Sequence, residues 1–218
     1  MALVYSTAEY CAPVWKNSTH VSMVDVQLNH SMRLISGCLM PTPAYWLPAL
    51  SHIAPPHIRR EACLNREMVK ILGNPTLPIN EDLEPLKKTR LKSRDPPAKS
   101  FHTYNPSWKA GDAWRSEWSE NPPSRKLFVP STTQRPAGFC EPRSVWCRLN
   151  RLRTGVGNCA YLWHKWGWSE SAACECGHPQ QTIDHIVFEC PITKYAGPAD
   201  DFTNLTSSAT AYLNNCSF

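Results

Sequence analysis

The stretch CECGHPQQTIDHIVFEC, residues 174–190, places three of the chain's ten cysteines within seventeen residues, with two histidines between them. Such a cluster has three interpretations: a bound metal ion, a disulfide pair beside a free thiol, or buried thiols that only pack. Disulfide-rich proteins are usually short secreted chains, whereas this chain has 218 residues and its first residues lack the basic and long apolar segments of a signal peptide. The sequence therefore favours a metal site.

The spacing within the cluster suits zinc, which prefers four thiolate or imidazole ligands in a tetrahedron. Cys174 and Cys176 lie on one tight turn, and Gly177 after them allows the chain to fold back. His185 and Cys190 lie five residues apart on a short helix, so the pattern is C-x-C-x8-H-x4-C. A closed set of four ligands leaves no position for water, so the predicted ion is structural.

The spacing alone leaves the ligand set open. His178, Cys159 or His164 could each replace one of the four ligands. Thr182 is placed to cap the short helix of the cluster, and Pro191 is placed to end it.

The segment before the cluster is basic. Residues 142–169 contain no Asp or Glu, and they contain five cations: Arg143, Arg148, Arg151, Arg153 and Lys165. SVWCRLNRLRTG predicts a helix that Ser144 caps and Gly155 ends, and NCAYLWHKWG predicts a second, shorter helix. A local cationic patch favours polyanions such as nucleic acid, and the alternative is a solvated basic helix face.

The first 73 residues predict a small helical bundle. VSMVDVQLNHSMRLISG has apolar residues near helical spacing and a stop at Gly37. PPHIRREACLNREMVKILGN predicts a helix from Pro56 to a stop at Gly73. Four cations are expected on the outer face of this second helix: Arg59, Arg60, Arg66 and Lys70.

Residues 74–141 predict a long, largely irregular connector, since ten of the chain's twenty prolines fall there. One short helix is expected near GDAWRSEW, and Trp108, Trp114 and Trp118 are expected to dock onto a neighbouring surface outside the chain.

Residues 142–200 are predicted to form the basic helix and the zinc module, and residues 201–218 a polar tail with little pattern. The predicted fold class is therefore mainly α.

The remaining composition excludes some classes of protein. No apolar run approaches the ~18 residues that span a bilayer, so no membrane partner is expected. Without a secretion signal, the Asn-x-Ser/Thr sequences are expected to be chance matches, and the expected compartment is cytoplasmic or nuclear.

Two regions together resemble one protein family. PRSVWCRLNRLRTGVGNCAYLWHKWGWSESAACECGHPQQTIDHIVFECP is similar to the C-terminal region of non-LTR, jockey-like retrotransposon reverse transcriptases, in which an LNRLRTG helix precedes a CCHC zinc knuckle. LVYSTAEYCAPVW, VQLNHSMRLISGCLMPTP and LSHIAPPHIRREA resemble the helical thumb that follows the polymerase palm. The middle segment fits the family's variable connector.

The resemblance implies a ligand set and a partner. The family's zinc ligands carry over to Cys174, Cys176, His185 and Cys190. Its RNA- or DNA-binding role carries over to the basic segment, for which the candidate residues are Arg148, Arg151, Arg153 and Lys165. For Trp163, Trp166 and Trp168 we expect packing around the knuckle rather than stacking on bases.

The family's catalytic palm has no counterpart here. Its metal-binding motif resembles [FY]-x-D-D, and the chain's only Asp-Asp pair is Asp200-Asp201, which follows no apolar strand. The chain is therefore expected to be the last piece of a larger enzyme, to have no polymerase activity alone and to bind nucleic acid. The alternatives are a zinc-stabilised protein–protein interaction module, with exposed tryptophans as anchors, and a truncated remnant without function.

Overall fold

The computed structural model describes residues 2–83, 104–123, 125 and 129–218. Within these ranges the protein is mainly helical, as predicted, and contains no β-strand. No helix in them is long and apolar enough to cross a membrane. Much of the predicted connector (84–103, 124 and 126–128) lies outside the described residues.

The sequence-predicted helices are present with nearly the predicted ends. In chain order the helices are α1 (Ala2–Glu9), α2 (Ala12–Trp15), α3 (Val21–Ser36), α4 (Trp46–Ser51), α5 (Pro56–Leu72), a 3₁₀ helix (Pro78–Leu83), α6 (Ala110–Glu120), α7 (Arg143–Thr154), α8 (Ala160–Lys165), a π-helical turn (His185–Glu189), α9 (Asp200–Asn204) and α10 (Ser207–Asn215). Gly37 and Gly155 end α3 and α7 with φ of 71° and 67°, a conformation that glycine adopts readily. Pro142, rather than Ser144, is the residue before α7.

The chain divides into two compact units. Unit 1 comprises residues 1–31 and 54–120, and unit 2 comprises residues 32–53 and 121–218. This division differs from the four consecutive segments expected from sequence. Residues 32–53 belong with the C-terminal half, and α6 belongs with the N-terminal helices.

In unit 1, α5 packs against α1, α2 and α6. Its apolar face buries Ile58, Leu64 and Met68. Trp114 and Trp118, one helical turn apart on α6, are buried in the same unit. These two tryptophans therefore pack within the chain, which corrects the expectation that they dock onto a neighbour outside it.

Two of the four arginines and lysines on α5 do not lie on a solvated outer face. Arg59 pairs with the Glu9 carboxylate, with one Nη–Oε distance of 2.8 Å, and Arg60 pairs with Asp25, with one Nη–Oδ distance of 3.1 Å. Arg60 is buried, and this two-point contact with the carboxylate compensates the burial of its charge. The other two cations of the helix remain exposed, as expected.

Unit 2 is organised around α7. Its buried residues Val145, Leu149 and Leu152 lie at helical spacing and form one core with apolar residues from all later helical segments. The other members of this core are Cys159, Leu162, Ile183, Val187, Phe202, Ala209, Leu213 and Phe218.

The polar face of α7 caps the end of α3. The indole Nε1 of Trp146 donates to the Ile35 carbonyl at 2.9 Å, and Nδ2 of the fully buried Asn150 donates to the Ser36 carbonyl at 2.8 Å. Arg151 Nε donates to the Gly37 carbonyl at 3.3 Å. The last carbonyls of a helix have no partner within the helix, so these side chains supply the missing donors.

The chain after residue 200 is not a patternless tail. It forms α9 and α10, which bury Phe202, Ala209 and Leu213, and Phe218 is also buried. Thr206 caps α10 by accepting a hydrogen bond from the Ala209 N–H. This segment therefore completes the core of unit 2.

The packing of Gly37 gives a stability prediction. A Cβ at Gly37 would lie 2.1 Å from Sγ of Cys147, whereas a Cβ at Gly167, which also has positive φ, would meet nothing within 4 Å. We expect Gly167→Ala to lower the free energy of unfolding by about 1 kcal/mol through backbone strain alone. Gly37→Ala should lower it by about 2–5 kcal/mol, because overpacking is added to the strain. Urea denaturation of the two variants measures the difference, and equal losses would contradict the packing of α3 against α7.

Candidate metal centre

The first half of the cluster is a turn. The Gly177 N–H donates to the Cys174 carbonyl at 2.9 Å, and the Cys174 N–H donates to the His178 carbonyl at 2.8 Å. Gly177 has a φ of 91°, which is accessible to glycine and strained for other residues. The reversal that the sequence predicts is present, and it brings Cys174 and Cys176 beside the following segment.

The second half is a short helical segment fixed to the core of unit 2. Thr182 Oγ1 accepts a hydrogen bond from the His185 N–H at 3.1 Å, which confirms the predicted cap. Ile183 and Val187 are buried in the core and leave His185 facing the turn. The Cys190 N–H donates to the His185 carbonyl at 2.7 Å, an i to i+5 bond of the π type. This wider turn aligns residues five apart within the segment that the sequence predicted as a short helix.

Together these segments bring four possible ligands into one small space. Sγ of Cys174, Cys176 and Cys190 and one nitrogen of His185 all lie within 4.8 Å of one another. The Cys174 and Cys190 sulfurs are 3.8 Å apart, and Cys176 Sγ lies 3.2 Å from His185 Nε2. A tetrahedral ion with bonds of about 2.3 Å to sulfur requires sulfur–sulfur separations of about 3.8 Å. The four residues are therefore close enough to bind a metal ion.

Of the three alternative ligands that the sequence left open, Cys159 and His164 lie outside the cluster. Cys159 is buried in the core of unit 2, and the Nδ1–H of the exposed His164 donates a hydrogen bond to the Ser169 carbonyl. All ten cysteines are free thiols, so the disulfide interpretation has no support in the structure. His178 stacks on His185 with ring centroids 4.3 Å apart, and it forms a second, more exposed group of possible ligands with His185 and Glu189.

The electrostatics of the thiols favour a cation. Hydrogen bonding from the Thr193 side chain, opposed by burial and reinforced by backbone N–H groups, lowers the pKa of the Cys190 thiol to about 6. At Cys176 the His178 N–H favours the thiolate, but burial and the neighbouring thiols outweigh it and raise the pKa. Thiolates this close repel one another, so a cation among them is what allows all of them to ionise.

Outer contacts hold the ligands in place. Gln181 Nε2 donates toward Cys174 Sγ at 3.7 Å, while its Oε1 accepts from the Ala160 N–H at the start of α8. Glu189 Oε2 lies 3.6 Å from His185 Nδ1, a buried nitrogen without a hydrogen bond. Zinc-binding histidines usually have a carboxylate or carbonyl partner on the second nitrogen, which suits Glu189 for this role.

One further contact ties the metal loop to α7. Arg125 makes two 2.9 Å hydrogen bonds to the carboxylate of Asp184, the residue before His185. The same guanidinium donates to the Leu152 and Arg153 carbonyls at the end of α7. Sequence reasoning missed this bridge because Arg125 lies in the proline-rich segment, where no local pattern marks it.

The arginines predicted to bind nucleic acid lie on α7 and are engaged with backbone carbonyls. Arg148 donates to the Leu213 and Asn214 carbonyls at 2.9 and 3.1 Å. Arg151, also half-buried, donates to the Phe218 carbonyl at 3.2 Å in addition to that of Gly37. Both side chains therefore hold the C-terminal segment of unit 2.

Arg153 is only 3% exposed, and burial lowers its pKa to about 10. It donates to Asn150 Oδ1 at 3.0 Å and to the Ala137 carbonyl at 2.9 Å. This placement corrects the expectation for Arg153, because a buried guanidinium cannot reach a phosphate. Lys165, by contrast, is exposed and has no hydrogen bond or ion pair to any described residue.

Two other expected features have clear positions. The Asp-Asp pair opens α9, where Asp201 Oδ2 accepts a hydrogen bond from the Tyr195 hydroxyl at 2.5 Å. Of the three tryptophans near the cluster, Trp166 packs against the core of unit 2, whereas Trp163 and Trp168 are exposed.

Comparison with known proteins adds no assignment: no family model, no curated protein and no solved structure matches this chain.

The geometry predicts thiolate coordination that can be measured with cobalt. Co²⁺ added to the reduced protein should give intense thiolate-to-metal charge-transfer absorption at a 1:1 ratio. Cys190→Ser should reduce this absorption strongly, because it removes a thiolate whose sulfur lies 3.8 Å from that of Cys174. Cys140→Ser, an exposed thiol outside the cluster, is the matched control. A strong signal that survives Cys190→Ser would exclude this ligand set.

Proposed function

We propose that the cluster of Cys174, Cys176, His185 and Cys190 holds one zinc ion with a structural role. Three thiolates and an imidazole form a donor set typical of structural zinc. The spacing of the sulfurs fits tetrahedral bonds, and three of the four residues are buried, which leaves little access for water or substrate. The ion would join the turn at 174–178 to the segment at 182–190. These two short segments do not form an apolar core between themselves.

Zinc removal tests this role. The protein purified under reducing conditions should carry one zinc ion per chain by native mass spectrometry. A strong chelator should lower the melting temperature of unit 2, because the free energy of metal binding contributes to folding. Re-addition of Zn²⁺, but not of Mg²⁺, should restore it, since Mg²⁺ prefers oxygen ligands. A melting temperature indifferent to the chelator in a protein that carried zinc would exclude a structural role.

We further propose that the chain is the thumb and zinc-knuckle part of a non-LTR reverse transcriptase-like protein, and that unit 2 binds RNA or DNA. The observation that carries this proposal is the four-donor cluster placed directly after α7 and α8, in the order that the resemblance implies. The resemblance supplies the substrate class, and the basic composition of residues 142–169 supports it. We propose no catalysis for the chain alone.

The cations available for this role are fewer than the sequence suggested. Lys165 is exposed, and the half-buried Arg148 and Arg151 have further N–H donors beyond those bonded to carbonyls. Arg153 takes no part. Binding should therefore depend on a few phosphate contacts and carry little sequence specificity.

The alternative is a zinc-stabilised surface that binds another protein. The exposure of Trp163 and Trp168 favours this possibility as well, because tryptophans often anchor protein interfaces. The two functions differ in their response to salt, since protein association through apolar anchors depends weakly on ionic strength and phosphate binding depends on it strongly.

A salt titration separates them. With about three phosphate contacts, the slope of log affinity for a single-stranded oligonucleotide against log salt should be about −2. Lys165→Ala should make this slope less negative by about 0.7, while Lys109→Ala, an exposed lysine of unit 1, leaves it unchanged. The double variant Arg148→Ala, Arg151→Ala is a poor substitute, because it also removes the contacts that hold the C-terminal segment. No binding of the zinc-loaded protein to RNA or DNA at low salt would exclude the nucleic-acid function.

A further inference from the structure

The end of α8 is a rigid turn that begins and ends in tryptophan. The Trp168 N–H donates to the Trp163 carbonyl at 2.8 Å, and the Gly167 N–H donates to the His164 carbonyl at 3.0 Å. With Gly167 at a φ of 75°, these two bonds form a Schellman motif. In this motif the first and last residues are joined through the backbone, so Trp163 and Trp168 start from neighbouring positions at one end of the helix.

These two indoles are not part of the core. Trp163 is 39% exposed and Trp168 is 75% exposed, and neither indole N–H has a partner among the described residues. The C-terminal residue of a Schellman motif commonly packs on the helix, so an exposure of this size at Trp168 is unusual. Apolar surface left in water at a fixed position marks a place where a ligand can bind.

Neighbouring contacts hold the exposed Trp168 ring in place. The Trp166 ring, which packs against the core of unit 2, meets the Trp168 ring edge to face with centroids 5.0 Å apart. His164 Nδ1 lies 3.1 Å from the Ser169 carbonyl and fixes the chain just after Trp168. A ligand that stacks on Trp168 would find this ring already ordered, so little entropy is lost on binding.

The same helix carries a cation that no described residue pairs with. Lys165 lies on α8 between the two tryptophans in sequence. Each of the four arginines between residues 143 and 153 donates to at least one backbone carbonyl, so Lys165 is the one cation of the described segment 142–169 without a protein partner. The nearest acidic residue in sequence is Glu170, which is exposed.

We propose that Trp163, Trp168 and Lys165 form a base-stacking platform that binds single-stranded nucleic acid. The indole faces would stack on unpaired bases, and the lysine would contact an adjacent phosphate. Stacking needs bases that are not already paired, so the platform selects single strands over duplexes. This assignment rests on the proposed nucleic-acid function of unit 2 and gives it a location and a strand preference.

The test uses the full zinc-loaded chain and two fluorescein-labelled probes, a 12-nucleotide oligo(dT) and a 12-base-pair duplex of mixed sequence. Fluorescence anisotropy should give tighter binding to the single strand. Trp168→Ala should weaken single-strand binding about tenfold, because the loss of one base–aromatic stack is worth a factor of this order. Trp168→Phe should restore most of the affinity, since a smaller aromatic face remains.

The matched control is Tyr10→Ala, which removes an aromatic ring of similar exposure, 78%, from unit 1. This variant should bind both probes like the parent chain, and the zinc content of all variants should be equal. If the parent chain binds with a steep salt dependence but Trp168→Ala binds equally well, the platform is excluded and the proposed function of unit 2 survives. If the parent chain prefers the duplex, the platform is also excluded. If it binds neither probe, both the platform and the proposed function are excluded.

Discussion

Three thiols and one imidazole share a space in which no two ligand atoms are more than 4.8 Å apart, and this crowding is the constraint on which the arrangement of residues 174–190 depends. Thiolates at such distances repel one another, and a bound cation turns that repulsion into attraction. The turn at 174–178 contributes no residue to the apolar core, so its position depends on the cluster. The segment at 182–190 contributes Ile183 and Val187 to that core. The cluster therefore attaches a loop with little packing of its own to a helix that is packed on α7.

The same helix α7 explains why a basic segment does not make a basic surface. Its arginines reach the carbonyls at the ends of α3 and α10 and at Phe218, where the backbone lacks partners of its own. A guanidinium has five N–H donors and a long apolar stem, so it can satisfy such carbonyls while its methylenes cover apolar side chains. The positive residues of this segment therefore serve mainly as hydrogen-bond donors to the backbone of unit 2. As a consequence, Lys165 is the one cation of residues 142–169 whose side chain has no partner among the described residues.

Local signals predicted much of this structure. The stops at Gly37, Gly73 and Gly155, the cap at Thr182 and the five-residue separation of His185 and Cys190 each depend on residues close together in the chain, and such signals are readable from sequence. The π-type turn at 185–190 was missed because it differs from an α-helix end by one residue in hydrogen-bond register, which follows from the required ligand geometry rather than from propensity.

The last helices were missed because their composition is polar. Phe202, Ala209 and Leu213 do lie near helical spacing, but the left-handed residue Leu205 between them breaks the period.

Long-range contacts were beyond prediction from one sequence. The bonds from Arg148 to the Leu213 carbonyl and from Arg125 to Asp184 join residues 65 and 59 positions apart. The residues next to an arginine in the sequence do not indicate whether its side chain will donate to a distant carbonyl or remain in solvent.

The exposure of Trp168 follows from a balance of terms that can be stated. Burial of an indole removes about 150–250 Å² from water, and each Å² is worth about 25 cal/mol, so a ring left three-quarters exposed forgoes about 3–5 kcal/mol of folding free energy. The Schellman turn fixes the backbone position of Trp168, and the edge-to-face contact with Trp166 holds its ring, so the exposure is not relieved by a local shift. The free energy not used in folding is therefore available to a flat ligand that covers the ring, and a single base covers about one face of it. Lys165, an exposed cation of the same short helix, is the reason that we propose a stacked base attached to a phosphate as this ligand.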